Sequence, residues 1–337
     1  MLILCGLLAD CEDFEEIQDF GKDRFEYLKT FLELPNGIPS HDTMDRLMRH
    51  LKADQLADAL AKWGQELVSQ LVHKQVCVDG KEIRGTIVEG HKHASVQILS
   101  AWVREANASL GELRIEVKSN EIDATPKLLQ TIDLLGAVVT ADALNCQKKT
   151  AETILTGGGD YLLSLKENQA GLFVEVRDQF ARRQFALPKA VSLEKEHDRL
   201  DRRTVWVDED LQWLDTSSKW PSLRTVVMVQ RERLHVPGSK PTLSFYISSL
   251  TGKTADQMGD IIRGHWAVEN QLHRHLDVTF SEDACQVRTD NAPQNLSILR
   301  KLALQLLKRT PDKVSIKRKR KKAARDNDFL TTVLQQL

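Results

Sequence analysis

At Gln75 the spacing of apolar residues changes, and nothing else in the chain constrains its fold as much. Before that point apolar side chains recur at three- and four-residue steps: Leu47, Leu51, Leu56, Leu60, Trp63, Leu67 and Leu71. That is the period of one helical face. After it come short β-type runs, QVCVDGK, SVQILSAWV and GELRIEVKS. EIDATPKLLQTIDLL returns to helical spacing, and AVVTADAL is apolar up to Asp142. NCQKKTAETILTGG reads as a helix closed by glycines and DYLLSLK as another strand. The predicted order is therefore β-β-β-α-β-α-β, an α/β fold with a sheet covered by helices.

Residues 1–74 are predicted to form a helical N-terminal unit. LPNGIPSHDT is a turn cluster, and Asp42 is the expected cap of the helix after it. Residues 75–310 form the core unit, and residues 170–260 are a largely β insertion. RTVVMVQRERL and LSFYISSL are its strands, and the rest reads as charged and irregular. Residues 311–337 form a basic tail.

Composition narrows the class. The chain is 41% hydrophobic and 28% charged, as an ordinary globular protein is. No apolar run reaches the roughly eighteen residues of a membrane span, so no membrane partner is expected. MLILCGLLAD lacks a basic flank and turns acidic at Asp10, which argues against a signal peptide. Five cysteines without a CxxC pair argue against a disulfide framework and for a reducing cytoplasm. The net charge of −1 hides the segment KVSIKRKRKKAAR, with eight basic residues and no acidic ones. Setting it aside leaves 39 basic against 48 acidic residues, so a nucleic-acid partner must meet focused patches. Residues 1–74, with 14 acidic and 8 basic residues, are a poor candidate for the main DNA-binding surface.

Three acids stand out within this frame. Asp79 and Asp142 each end a β-type run, and Glu269 lies in the amphipathic segment HWAVENQLHRHLDV. An Asp-Gly pair alone is turn chemistry, Asp142 alone is an N-cap, and Glu269 alone is a solvated helix face. The order of elements decides between these readings. It is that of the RNase H-like arrangement, whose first and fourth strands lie side by side and would make Asp79 and Asp142 neighbours. Two strand-end carboxylates and a third on a late helix suit Mg²⁺, which takes hard oxygen ligands and keeps several waters. Two such ions roughly 4 Å apart stabilise the attacking and leaving oxygens of a phosphodiester displacement.

Cations near these acids are candidate DNA contacts: Lys81 and Arg84 after Asp79, Lys166 after the last core strand, and His197 and Arg199 in the insertion. Lys317, Arg318, Lys319 and Arg320 form the start of the polycation KRKRKK, whose alternative reading is a solubilising tail. Taken as a helix, His265, Glu269 and His273 share a face, with Val268, Leu272 and Leu276 on the apolar one. HxxxExxxH is not the zinc spacing HExxH, and no thiolate lies nearby, so phosphate contacts are the preferred role of His265 and His273.

The strings PNGIPSHDT, VDGKEIRGT, KSNEIDATPKLL, TADALNCQ, DYLLSLKENQ, HWAVENQLHRHLDVTFSEDACQ and NAPQNLSILRKLALQLLK closely resemble the ISAs-type insertion-sequence transposases. These are also called H-repeat-associated proteins, from their link to Rhs elements. The resemblance runs over nearly the whole chain. It implies a DDE transposase with an RNase H-like catalytic core, and catalytic and metal-binding roles for Asp79, Asp142 and Glu269. It further implies two Mg²⁺ or Mn²⁺ ions, and the element's terminal repeats and target DNA as double-stranded substrates. Joining two ends implies a homodimer on DNA. Related enzymes with a β insertion carry Tyr, Arg and Lys around the last Glu, where this chain has Ile262, His265 and Leu276. The chain is also expected to be shortened before Met1 relative to family members. The competing expectations are an inactive relict that only binds DNA, and a housekeeping RNase H-like nuclease.

Overall fold

The structure is a computed structural model that describes residues 1–68, 70–87, 95–115, 119–196, 199–215, 220–234 and 238–337. His197 lies outside them. Five helices come first: α1 (Leu2–Leu8), α2 (Phe14–Asp23), α3 (Phe25–Leu28), α4 (His41–His50) and α5 (Ala53–Leu67). The cap of α4 is Ser40 rather than Asp42, since the Ser40 side chain accepts from the Thr43 amide. Leu51 turns to an extended conformation and divides the long apolar period into α4 and α5.

Among the described residues nine strands form one sheet: β1 (Gln75–Ile83), β2 (Val96–Val103), β3 (Ala108–Ile115), β4 (Val138–Ala141), β5 (Asp160–Leu165), β6 (Lys189–Glu196), β7 (Arg199–Asp208), β8 (Thr225–Arg233) and β9 (Thr242–Ser248). Their spatial order is β3-β2-β1-β4-β5-β9-β8-β7-β6. The β1–β4 and β4–β5 ladders are parallel. The helices α6 (Glu121–Leu129) and α7 (Lys148–Thr156) supply the crossovers that parallel neighbours require. The expected adjacency of first and fourth strands is present. α8 (Ala170–Arg183) follows β5, and α9 (Ala255–His265) follows β9. A π-helical turn, Glu269–His273, leads directly into α10 (Arg274–Thr279). The chain continues through α11 (Ala292–Arg309), α12 (Ile316–Ala323) and α13 (Asn327–Leu334).

Three expectations change. β1 does not stop at an Asp-Gly turn but runs on to Ile83, with Gly80 opposite Leu99. A Cβ on Gly80 would sit 1.8 Å from Glu121 Oε1, so the glycine makes room for a carboxylate. The stretch from residue 170 to 260 has β8 and β9 where strands are expected, but the remainder, read as irregular, contains α8 and the strands β6 and β7. β9 pairs with β5, so this stretch extends the sheet. Charged residues on β6 and β7 hide the strand pattern, as where Arg203 pairs with Glu194. Residues 311–337 are no loose tail, because α12 and α13 close over an apolar cluster through Ala323, Phe329, Leu330 and Val333.

Helices cover both faces of the sheet. Val76, Val78, Leu99, Val139 and Leu163 pack with Leu128, Ile154 and Val176 on one side. Cys77 and Trp102 pack on the other with Leu276, Leu304 and Leu307, and α1 adds Leu4 and Leu7. Side chains alternate along a strand, so Asp79 falls on the same side as Cys77, beneath the segment that carries Glu269.

Candidate active site

The last pair of the β1–β4 ladder is Val78 with Ala141. Asp79 and Asp142 are the next residues on two parallel strands, at the carboxyl edge where α/β sites collect. Asp142 Oδ1 accepts from the Asn145 amide N (3.1 Å) and Asn145 Nδ2 (3.0 Å). Glu269 opens the π turn. It is exposed while Val268 and Leu272 on either side are buried, so the predicted apolar face holds and the carboxylate lies on the open side. The electrostatics tie the three together. Burial, then the charges of Asp142, Glu269 and Glu121, push the Asp79 carboxyl up to about 7.

Glu121 is the residue sequence reasoning missed. It begins α6, whose cap Asn120 accepts from the Asp123 amide, and it lies against Gly80. Burial and then Asp142 raise its pKa. Asn145 Nδ2 reaches its Oε2 at 3.3 Å. The string KSNEIDATP held the signal, because an Asn cap places the next acid in the first turn of a helix.

Oxygen donors and surplus negative charge fit a divalent cation, which would offset the repulsion that Asp79 feels. The fit is one of donor type and charge. Among the described residues no group of three or more His, Cys, Asp or Glu side chains is gathered so as to hold an ion as it stands.

The candidate DNA contacts divide sharply. Arg84, Lys166, Lys317 and Arg318 are exposed. Lys81 is not available to a phosphate: its side chain is 11% exposed and its ammonium meets Asp277, Glu282 (2.9 Å) and Asp283 (3.5 Å). Lys319 is buried, with Nζ donating to Leu307 O (2.8 Å) and Thr310 O (2.7 Å). Arg320 is buried too, donating to Leu7 O (2.8 Å), Cys11 O (3.0 Å) and Thr279 O. Both therefore serve the interior, since a buried cation keeps its charge only where its hydrogen bonds are met.

The histidines are not cations either. Burial pushes His265 down to about 4, and its Nδ1 lies 3.1 Å from Thr140 Oγ1. His273 drops to about 3 through burial and the nearby Lys301 and Lys81. Its Nδ1 faces Asp79 Oδ2 at 3.4 Å. At neutral pH both rings are uncharged. His265 can meet a phosphate only as a neutral group, and His273 packs over Asp79.

Two aspartates on paired strands and a third acid on a late helical segment thus share one electrostatic field. A family profile described as "Transposase DDE domain" matches residues 71–306, and one described as "DDE_Tnp_1-associated" matches residues 1–64. The chain belongs to the DDE transposase domain family. Among its relatives is "H repeat-associated putative transposase YhhI" of Escherichia coli K12, 32% identical over 99% of this chain and 90% of its own length. "Putative transposase YncI" of Escherichia coli O157:H7 is 33% identical over 99% of this chain and 87% of its own. "Inactive transposase YbfQ" of Escherichia coli K12 is 38% identical over 14% of this chain and 57% of its own length.

Proposed function

We propose that the protein is an insertion-sequence transposase that cleaves DNA at the element's ends and transfers the strands, on an RNase H-like core. The observation that carries this reading is the Val78–Ala141 pair, which sets Asp79 beside Asp142 in a field shared with Glu269. Asp79, Asp142 and Glu269 would hold Mg²⁺ or Mn²⁺. When bound, the metal supplies electrostatic stabilisation of the attacking and leaving oxygens of the scissile phosphate. The protein's own part is to hold these carboxylates in place. His273 packs against Asp79, Asn145 bonds Asp142, and the π turn leading into α10 carries Glu269. Arg84, Lys166, Lys317 and Arg318 meet duplex phosphates, in a salt-dependent contact. Residues 1–74 act as the associated helical domain and 75–310 as the catalytic one. Two ends need two active sites, so the working form is a dimer on DNA.

The test is cleavage of a labelled fragment carrying the element's end, with Mg²⁺ and with EDTA, beside the Asp79→Ala, Asp142→Ala and Glu269→Ala proteins. Metal-dependent cuts at the end, lost in all three while DNA affinity holds, are expected. A mutant that still cuts would break the triad assignment. The similarity to a relative named as inactive favours one second reading, a relict that binds element ends without cutting. Binding by the unaltered protein with no cleavage in Mg²⁺ or Mn²⁺ would select it.

A further inference from the structure

Asn145 is fully buried, and every hydrogen-bonding group of its side chain is in use. An amide offers two N–H donors and one carbonyl acceptor. Here Nδ2 donates to Asp142 Oδ1 and to Glu121 Oε2, at 3.0 and 3.3 Å. The carbonyl Oδ1 accepts from Thr125 Oγ1 at 2.6 Å. Thr125 is itself fully buried and stands one helical turn after Glu121 on α6. The network fixes the amide's orientation: turned over, it would aim its oxygen at two carboxylates. The backbone N of Asn145 also donates to Asp142 Oδ1, at 3.1 Å. One carboxylate oxygen of Asp142 thus takes two hydrogen bonds from a single residue. Its Oδ2 has no hydrogen-bond partner among the described residues.

We infer that Asn145 is a positioning residue, which fixes the carboxylate of Asp142 and ties Glu121 into the active site, with Thr125 holding its amide in register. The relay joins three elements: the end of β4, the turn before α7, and the first turns of α6. A leucine at 145 would fill the same space, but it would leave two half-buried carboxylates without their shared side-chain donor. An aspartate would add a third negative charge where two already repel. Asparagine is the side chain that serves both acids at once. Partners of this kind, one bond behind a ligand, set ligand geometry and alter metal affinity about 10–100-fold when removed.

The inference rests on the transposase reading, and the experiment separates the two. Mn²⁺ is titrated into the full chain without DNA and followed by its electron paramagnetic resonance signal. Thermal melting and affinity for an element-end duplex are measured in parallel. The proteins are wild type, Asn145→Ala, Thr125→Val and Thr125→Ser. Thr125→Val touches no carboxylate and keeps the side chain's volume. It is expected to weaken Mn²⁺ binding about tenfold at unchanged DNA affinity, with Asn145→Ala weaker still. Thr125→Ser keeps the hydroxyl and should restore wild-type binding. A lowered melting temperature with unchanged Mn²⁺ affinity in both variants would overturn the inference and leave the transposase reading standing. So would a Thr125→Ser protein as weak as Thr125→Val, since packing of the methyl group would then be the cause. Wild-type protein that binds no Mn²⁺ would remove the transposase reading, and the relay's purpose with it.

Discussion

Asp79 ionises at the expense of the fold. In the unfolded chain its carboxyl titrates near 3.8, and in the folded one near 7. Between those values the folded state binds the extra proton, so this group's contribution to stability falls as pH rises from about 4 to about 7, then stays flat. Each unit is worth about 1.4 kcal/mol, which caps the effect at a few kcal/mol. In EDTA, Asp79→Asn should therefore be more stable than wild type at pH 8, by denaturant melts, and the gap should close near pH 4. His265 and His273, depressed to about 4 and about 3, act in the opposite sense. They lose stability as pH falls below about 6.5, and both proteins share them. Millimolar Mg²⁺ should raise the melting temperature of wild type at pH 8 and leave Asp79→Asn unmoved. An Asp79→Asn protein less stable than wild type at pH 8 would mean that the acids do not share one field. Asp79 and Asp142 stand out in the sequence because apolar runs stop at them. Glu121 does not, because its place depends on a bare Gly80 that lies near it only in the folded chain.

At the scale of elements, the order from β1 to β5 could be read because each run keeps one period from end to end. β6, β7 and α8 could not, because charged side chains interrupt the pattern that would have marked them. Lys81 looked like a free cation for a related reason: its partner Asp277 is 196 residues away in sequence. Folded, Lys81 joins the strand of Asp79 to the segment after Glu269. Arg288 Nε adds a bond to Gly85 O at 2.7 Å, and a Cβ on Gly85 would come within 2.2 Å of Cys285 O, so no bulk fits between them. Glu282 in this clamp is fully buried, and stripping its partner is expensive. Lys81→Met should cost about 3–5 kcal/mol and should speed amide exchange over residues 274–288 more than over β4 and β5. Uniform acceleration across the sheet would show that Lys81 supports the fold in general and not this segment.

At the scale of the molecule, the chain's beginning and its last helices form one body. All seven residues of α1 are buried. Arg320 on α12 bonds the carbonyls of Leu7 and Cys11, and its guanidinium lies 4.4 Å from the centre of the Phe280 ring. Arg320→Ala leaves buried carbonyls unmet and should cost about 3–5 kcal/mol. Arg320→Lys should recover only part, since one ammonium cannot reproduce the planar fork. Full recovery by lysine in thermal melts would show that charge alone is needed there. The KRKRKK string read as a polycation because sequence shows charge and not direction. Its residues divide between an outward face and an inward one.

That closure has a consequence for the order of synthesis. The apolar residues of α1 are synthesised well before part of their cover, which on α11 and α12 follows roughly three hundred residues later. Until then α1 has α2 and α4 to pack on, and the apolar surface left open is the kind that recruits chaperones or aggregates. A premature stop codon upstream of Arg320 would therefore do more than drop a few lysines. It would release a polypeptide whose helix α1 lacks part of its cover, so truncation before Arg320 would silence the product through misfolding, even with Asp79, Asp142 and Glu269 intact.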